Sequence, residues 1–175
     1  MDKPVRWLSQ CGLNCGLCTM RLGAHCVGCP PTGRTCPITK CGASHGVGHC
    51  FECHEYPCEK FENIDEYDSF ITHLHQRSDL ERARSMGLEA YGHEQEEKLE
   101  MLRRLLDGFN DGRRKTLFCL AVNLLELAEL RRIMAKLEAE SGAEQAQRAA
   151  CAAAALREAL AARGIKPTLR RKKQQ

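Results

Sequence analysis

Apolar residues follow two regimes along this chain, scattered before residue 59 and periodic after it. Over residues 57–76, PCEKFENIDEYDSFITHLHQ, the residues Phe61, Ile64, Tyr67, Ile71 and Leu74 recur at helical spacing with acids between them, which predicts an amphipathic helix. Pro57 suits the first turn of that helix, and Cys58 would tie the turn to the segment before it. Ser78-Asp79-Leu80-Glu81 has the form of a capping box, so a second helix is expected there, with Gly87 ending it. After a turn at Tyr91-Gly92, a third helix over roughly 93–107 carries Leu99, Leu102, Leu105 and Leu106 and stops at Asp107-Gly108.

From Arg113 to Glu140 the pattern is apolar almost all round at first, LFCLAVNLL, and then one-sided, with Leu127, Leu130, Met134 and Leu137 on one face. This is the expected buried helix of a bundle, and a break near Asn123 to Glu126 would divide it in two. Residues 142–163 are helical by alanine propensity, with little apolar bulk to fix them in place. Before residue 59 no such period exists. Val5, Trp7, Leu8, Leu13, Leu17, Val27, Ile38 and Phe51 are too few to hold that many loops by burial.

Composition changes at the same boundary. Eight of the fourteen glycines, five of the six prolines and ten of the twelve cysteines lie before residue 59, so the missing core must be replaced by something other than apolar contact. The expected fold is mainly α, a loop-rich N-terminal cysteine metal module packed on a C-terminal helical bundle. Its divisions are a cysteine-rich module over 1–58, a helical bundle over 59–140, and an alanine-rich helix with a basic tail over 141–175.

The cysteines recur as close pairs, Cys15/Cys18, Cys26/Cys29 and Cys50/Cys53 at C-x2-C and Cys36/Cys41 at C-x4-C, with Cys11 and Cys58 outside. Two thiolates three positions apart sit on one tight turn and point at a single cation, which is the arrangement of tetrahedral zinc sites and cluster-binding loops. The start, MDKPVRWLSQCGL, holds no apolar run of secretory-signal length, and no stretch approaches the roughly 18 apolar residues of a membrane span, so the chain reads as cytoplasmic and not membrane-bound. Thiols are kept reduced there, which favours metal over disulfides. The expected metal ligands are therefore Cys11, Cys15, Cys18, Cys26, Cys29, Cys36, Cys41, Cys50, Cys53 and Cys58.

Ligand arithmetic leaves the grouping open. Four thiolates per closed site use eight of the ten cysteines, and three sites need twelve ligands, which two of His25, His45, His49 and His54 or bridging thiolates would supply. Two or three zinc ions are the first expectation. A 4Fe-4S cluster is the alternative, with Cys11, Cys15 and Cys18 in C-x3-C-x2-C spacing and Cys58 as a distant fourth ligand. That triplet resembles the one radical S-adenosylmethionine enzymes use, but no succession of strand and helix patterns is present to build their barrel.

The blocks CGLNCGLC, CVGC, CPITKC and CFECHEYPCEKF resemble, in order and inner spacing, the cysteine-rich domain-of-unknown-function family 3795, found mainly in anaerobic bacteria and archaea and regarded as zinc-binding. The match covers residues 11–62. The run PPTGRT between the second and third blocks is shorter than in typical members and lacks a cysteine that they often carry, which leaves the grouping of Cys26, Cys29 and Cys36 open. The resemblance implies zinc binding and no particular activity.

Other candidates have plainer roles. Cys119 and Cys151 have no close cysteine partner and are expected to be core or surface thiols. Asp65 and Asp68 read as a solvated helix face, His73 and His75 as favourable charge near a helix C-terminus, and Glu52 and Glu55 as solvent-facing loop charges. No H-E-x-x-H helix, deaminase signature, phosphate-binding glycine loop or nucleophile elbow is present, so catalysis is not the expected role. Lys166, Arg170, Arg171, Lys172 and Lys173 carry +5 of a formal net charge of +3, leaving −2 on the rest of the chain. That tail is expected to be solvated, with nucleic acid as a candidate contact. The expected function is a structural zinc module supporting macromolecular interaction or regulation through a protein partner. The alternative is an iron-sulfur protein in electron transfer or redox sensing.

Overall fold

The computed structural model describes residues 7–29, 36–139 and 144–172. Val5, the PPTGRT run, the boundary expected at 140–141 and Lys173 lie outside the described residues. Among the described residues there are seven α-helices and no strand. They are α1 (Thr19–Leu22), α2 (Pro37–Ser44), α3 (Gln76–Met86), α4 (Leu88–Gly108), α5 (Lys115–Leu124), α6 (Leu127–Ala139) and α7 (Gln145–Ala162). The mainly helical class and the cysteine-rich N-terminal region are as the residue pattern implies.

Helix α5 is the centre of the bundle. Every residue from Leu117 to Leu124 is buried, because the LFCLAVNLL run is apolar on all sides and α4 and α7 both pack on it. The expected break falls between Leu124 and Leu127, so the apolar stretch and the one-sided stretch are separate helices. Helix α4 contributes Leu99, Met101, Leu102 and Leu105 to the same core, and α6 contributes Leu130, Met134 and Leu137. Each fully buried leucine of this kind contributes roughly 1.5–3 kcal/mol.

Three expectations are corrected. Helix α4 begins at Leu88 directly after Gly87, without a turn at Tyr91-Gly92, because Tyr91 is buried on α3 and its hydroxyl is hydrogen-bonded inside the protein. Helix α3 begins at Gln76, two residues before the expected capping box, with the Ser78 hydroxyl donating to the His75 carbonyl. Gly87, at φ +88°, ends it as expected. Helix α7 is held firmly: Ala149, Ala152, Ala153, Leu156 and Leu160 are fully buried on one stripe. Alanine side chains let α7 approach α5 and α6 closely, so small residues supply the contact that bulk would supply elsewhere.

No helix spans residues 57–76. A single 3-10 turn covers Glu59–Phe61, and the following residues form turns, with Asn63 at φ +55°. The five apolar positions do not share a face: Phe61 and Ile71 are buried, Tyr67 and Leu74 exposed. The organising group is Asp68, expected on a solvated face but with a side chain only 2 % exposed. Its carboxylate accepts from the His73 backbone N–H at 2.7 Å, the Arg170 N–H at 2.7 Å, the Arg170 guanidinium at 2.7 Å and the Thr72 hydroxyl at 3.4 Å. These bonds fold the segment into loops and fasten the C-terminal tail over it, so Arg170 is not free in solvent. Burial pushes the Asp68 carboxyl up, but the Arg170 contact and the two backbone bonds outweigh this and hold it below its ordinary value.

Candidate metal centre

The first thiols are carried by a compact turn pinned to the helices. The Ser9 hydroxyl accepts the Leu13 N–H at 2.8 Å and lies 3.3 Å from the Cys11 thiol. Gly12 follows at φ +96°, and a β-carbon there would stand 2.2 Å from the Gln76 carbonyl oxygen, so only glycine lets this turn touch the start of α3. The Gln76 side chain in turn donates to the Cys11 carbonyl at 2.9 Å. Asn14 is buried, donating to Asp79 on α3 at 2.9 Å and accepting from the Tyr91 hydroxyl on α4 at 2.8 Å. Cys15 then opens a 3-10 turn to Leu17, whose side chain is fully buried in the main core and whose carbonyl faces Asn123 on α5.

The later thiols converge on a second locus. Cys36 precedes Pro37 at the start of α2, and Cys41 lies within that helix. Gln10 joins this region to the first turn: its side chain donates to the Val47 carbonyl at 3.0 Å, and its own carbonyl accepts the Cys50 N–H at 2.9 Å. Glu52 accepts the Gly48 and His49 backbone N–H groups at 2.7 and 2.9 Å, which sets the 3-10 turn Cys50–Glu52. Glu52 is exposed, as expected of a solvent-facing loop charge, and it also positions this turn. Burial pushes the Glu52 carboxyl up, but those two bonds prevail and it stays below its ordinary value.

Cys41, Cys50, Cys53 and Cys58 line one cavity together with His45, Glu55, Tyr56 and Phe61. Its interior is about 20 Å³, room for one water-sized sphere and hence for a single ion rather than an organic ligand. A His45 ring nitrogen, the Cys53 sulfur and a Glu55 carboxylate oxygen all lie within 4.8 Å of one another, a three-donor set suited to a cation. The Cys41 sulfur is 3.7 Å from His45 Nδ1, and His45 Nε2 is 3.7 Å from Glu55. Glu55 is the donor that spacing alone did not single out; it stands two residues past Cys53, on the same loop as the last C-x2-C pair.

No protein-family model, curated protein or solved structure matches the chain. The site must accordingly be read from its own chemistry.

Electrostatics divide the thiols into two neighbouring sets. Cys15 is hydrogen-bonded to Cys29 and feels Cys11 and Cys18; with burial, that bond raises its pKa well above the ordinary thiol value. Cys11, raised chiefly by burial, feels Cys29 and Cys36. Burial also pushes Cys50 up to about 12, with further contributions from Cys11, Cys58, Cys41 and Cys53. Cys15 is thus influenced by Cys11, Cys18 and Cys29, Cys11 by Cys29 and Cys36, and Cys50 by Cys41, Cys53 and Cys58, with Cys11 also acting on Cys50 and so linking the two neighbourhoods. Burial and the Cys15–Cys29 hydrogen bond are the main causes of these shifts, and the neighbouring thiols add a smaller like-charge contribution that a cation would relieve. A small apolar cluster of Leu8, Phe61, Leu80, Ala83 and Tyr91 lies beneath, with Cys11, Cys50 and Cys58 packed against it.

The remaining candidates are placed as follows. Cys18 is buried and faces the Phe70 carbonyl at 4.0 Å, while the Cys26 sulfur accepts the Gly28 N–H at 3.4 Å. None of the twelve cysteines forms a disulfide. Cys119 is in the core, where burial raises it to about 12, and Cys151 is exposed. His73, away from any helix C-terminus, lies 3.0 Å from both the Ile64 carbonyl and the Ser69 hydroxyl. His75 precedes α3, and burial holds its pKa down. Charge near a helix C-terminus is therefore not the role of either.

Behind Asn14 lies a polar cluster with no counterpart in the residue pattern. Arg82 donates twice to Glu94 at 2.8 and 2.7 Å and stands 3.8 Å from Asp79, while the buried Lys98 is 3.9 Å from Glu94. Burial raises Asp79 to about 6 against the pull of Lys98 and Arg82, and burial lowers Lys98 despite Glu94 and Asp79.

Proposed function

We propose that the chain is a metal-binding protein whose thiols hold zinc and that the metallated N-terminal region presents a surface to a macromolecular partner. The observation that carries this reading is the convergence of Cys41, Cys50, Cys53 and Cys58 with His45 and Glu55 on one ion-sized cavity. In this reading the lining thiolates Cys41, Cys50, Cys53 and Cys58 are the candidate zinc donors, and the nitrogen, sulfur and oxygen that already stand within 4.8 Å of one another belong to His45, Cys53 and Glu55. The thiols around Cys15, with donors drawn from Cys11, Cys18, Cys29 and Cys36, are the candidate holders of another ion of the same kind, which brings the count to two. In this reading the cysteine blocks place the chain with family 3795, and its partner is a protein met in the cytoplasm.

An iron-sulfur reading keeps one specific support: Cys11 and Cys18 both act on Cys15, which stands between them in the chain. Metal analysis with a visible absorption spectrum, on full-length protein purified without air or added metal, separates the two. Two zinc ions per chain and no visible absorption are the expected result. Iron with equivalent sulfide and a brown colour would overturn zinc in favour of a cluster.

A further inference from the structure

On the other side of the first thiol turn is a cleft of about 550 Å³, lined by Gly16, Arg21, Leu22, Leu99, Arg103, Leu106, Asp107, Asn110 and Lys115. That volume is in the range of small-molecule sites. Its chemistry is two-sided. Leu22, Leu99 and Leu106 give it an apolar floor, and Arg21, Arg103 and Lys115 bring three cations against the one carboxylate of Asp107.

The cations are positioned rather than merely present. Asn110 accepts the Gly112 and Arg114 N–H groups, both at 3.1 Å, and Asp111 accepts the Arg113 N–H at 3.1 Å and the Arg114 side chain at 3.2 Å. These bonds turn the chain from α4 into α5 and set Lys115 at the first position of α5. Among the described residues Lys115 makes no hydrogen bond or ion pair. Arg103 has only Glu100, at 3.8 Å and with both side chains 61 % exposed, a contact that water weakens. Arg21 donates to the Cys26 carbonyl at 3.2 Å, which leaves it charge without an acid partner. The first turn of α5 has no side-chain cap, so its backbone N–H groups add to the positive field.

We propose that this cleft binds a small amphipathic organic anion, its apolar body on Leu22, Leu99 and Leu106 and its phosphate or carboxylate between Arg103 and Lys115. A charge-assisted hydrogen bond is worth about tenfold or more in affinity, so the two cations select an anion over a neutral analogue of the same body. The site stands apart from the metal sites but shares a wall with them, since Gly16 lies between Cys15 and Leu17. A β-carbon at Gly16 would meet the Trp7 ring at 2.6 Å, so the one tryptophan of the chain rests on the cleft wall and reports on it.

Full-length protein with its native metal is titrated with hexyl phosphate, hexanol and inorganic phosphate, followed by calorimetry and Trp7 fluorescence. The expected result is one hexyl phosphate per chain with a saturating change in Trp7 emission, at least about tenfold tighter than either hexanol or phosphate. Arg103→Glu with Lys115→Glu is expected to weaken it by about tenfold or more with helicity unchanged, and the milder Arg103→Ala by about threefold. Hexanol binding as tightly, tight binding of phosphate alone, equal affinity in the charge-reversed variant, or no saturable binding would each overturn the proposal.

Discussion

Residues 7–58 and residues 76–162 are built on opposite terms. Among its described residues the thiol region buries three apolar side chains, Leu8, Leu17 and Cys18, and four polar ones, Ser9, Gln10, Asn14 and Thr39. The helical region buries whole faces of leucine and alanine from α4 to α7. The difference teaches where cohesion comes from: area in one region, directional bonds in the other, where half-buried thiols are gathered close together. The regions meet through a few specific contacts, Gly12 against Gln76, Asn14 against Asp79 and Tyr91, and Leu17 in the main core.

The largest test of that comparison is to take the proposed metal away. Chelation under reducing conditions, or Cys50→Ser with Cys53→Ser, should remove on the order of 10 kcal/mol of stabilisation from residues 36–58. Hydrogen exchange is expected to show protection lost there while the helical circular-dichroism signal falls little. Helices melting together with the thiol region would mean that one cooperative unit holds both.

The converse change strikes area. Leu156→Ala on α7 should cost about 3–4 kcal/mol, read as a lower urea midpoint for the helices, with metal content unchanged. Metal loss in that variant would show that the helices are needed to gather the thiols.

The junction is tested by pH. Asp79 has a folded pKa of about 6, above its ordinary 3.8, because burial disfavours its charge. The protonated form is thus the one the fold prefers. Its contribution is fully present below about pH 4 and is lost as pH rises through 6, to the extent of roughly 3 kcal/mol. Asp79→Asn should flatten this slope, so the difference in unfolding free energy between variant and native protein grows in favour of the variant from pH 4 to 7. A constant difference would show that Lys98 and Arg82 compensate the buried charge in full.

The smallest effect belongs to the tail. Arg170→Ala leaves the Asp68 carboxylate buried with only backbone and hydroxyl donors, and should cost about 2 kcal/mol. No change in melting temperature would show that residues 165–172 are not held by this pair.

The helices of the second region were legible because burial on one side leaves a period in the chain: Leu99, Leu102 and Leu105 for α4, Leu130, Met134 and Leu137 for α6. The same reasoning failed over 57–76, where five apolar positions at helical spacing belong to loops. A buried carboxylate and a partner about a hundred residues away outweigh local period there, and neither leaves a local trace. For α7 the error ran the other way, since methyl groups carry little hydrophobic signal yet close packing makes them effective. At the candidate metal centre, C-x2-C spacing singled out the thiols, but how they are brought together depends on Gln10 joining residues 47–50 and on Gly12 touching α3.

By itself the sequence determined the mainly helical class, the change of character near residue 59 and the close pairing of the thiols, because period, composition and pair spacing are local properties. Only the tertiary structure decided which thiols face one another, that His45 and Glu55 stand beside Cys53, that Asp68 and Lys98 are buried, and that cations gather over leucines beside α5. Each of these joins residues far apart in the chain, and such contacts are fixed by how the helices pack.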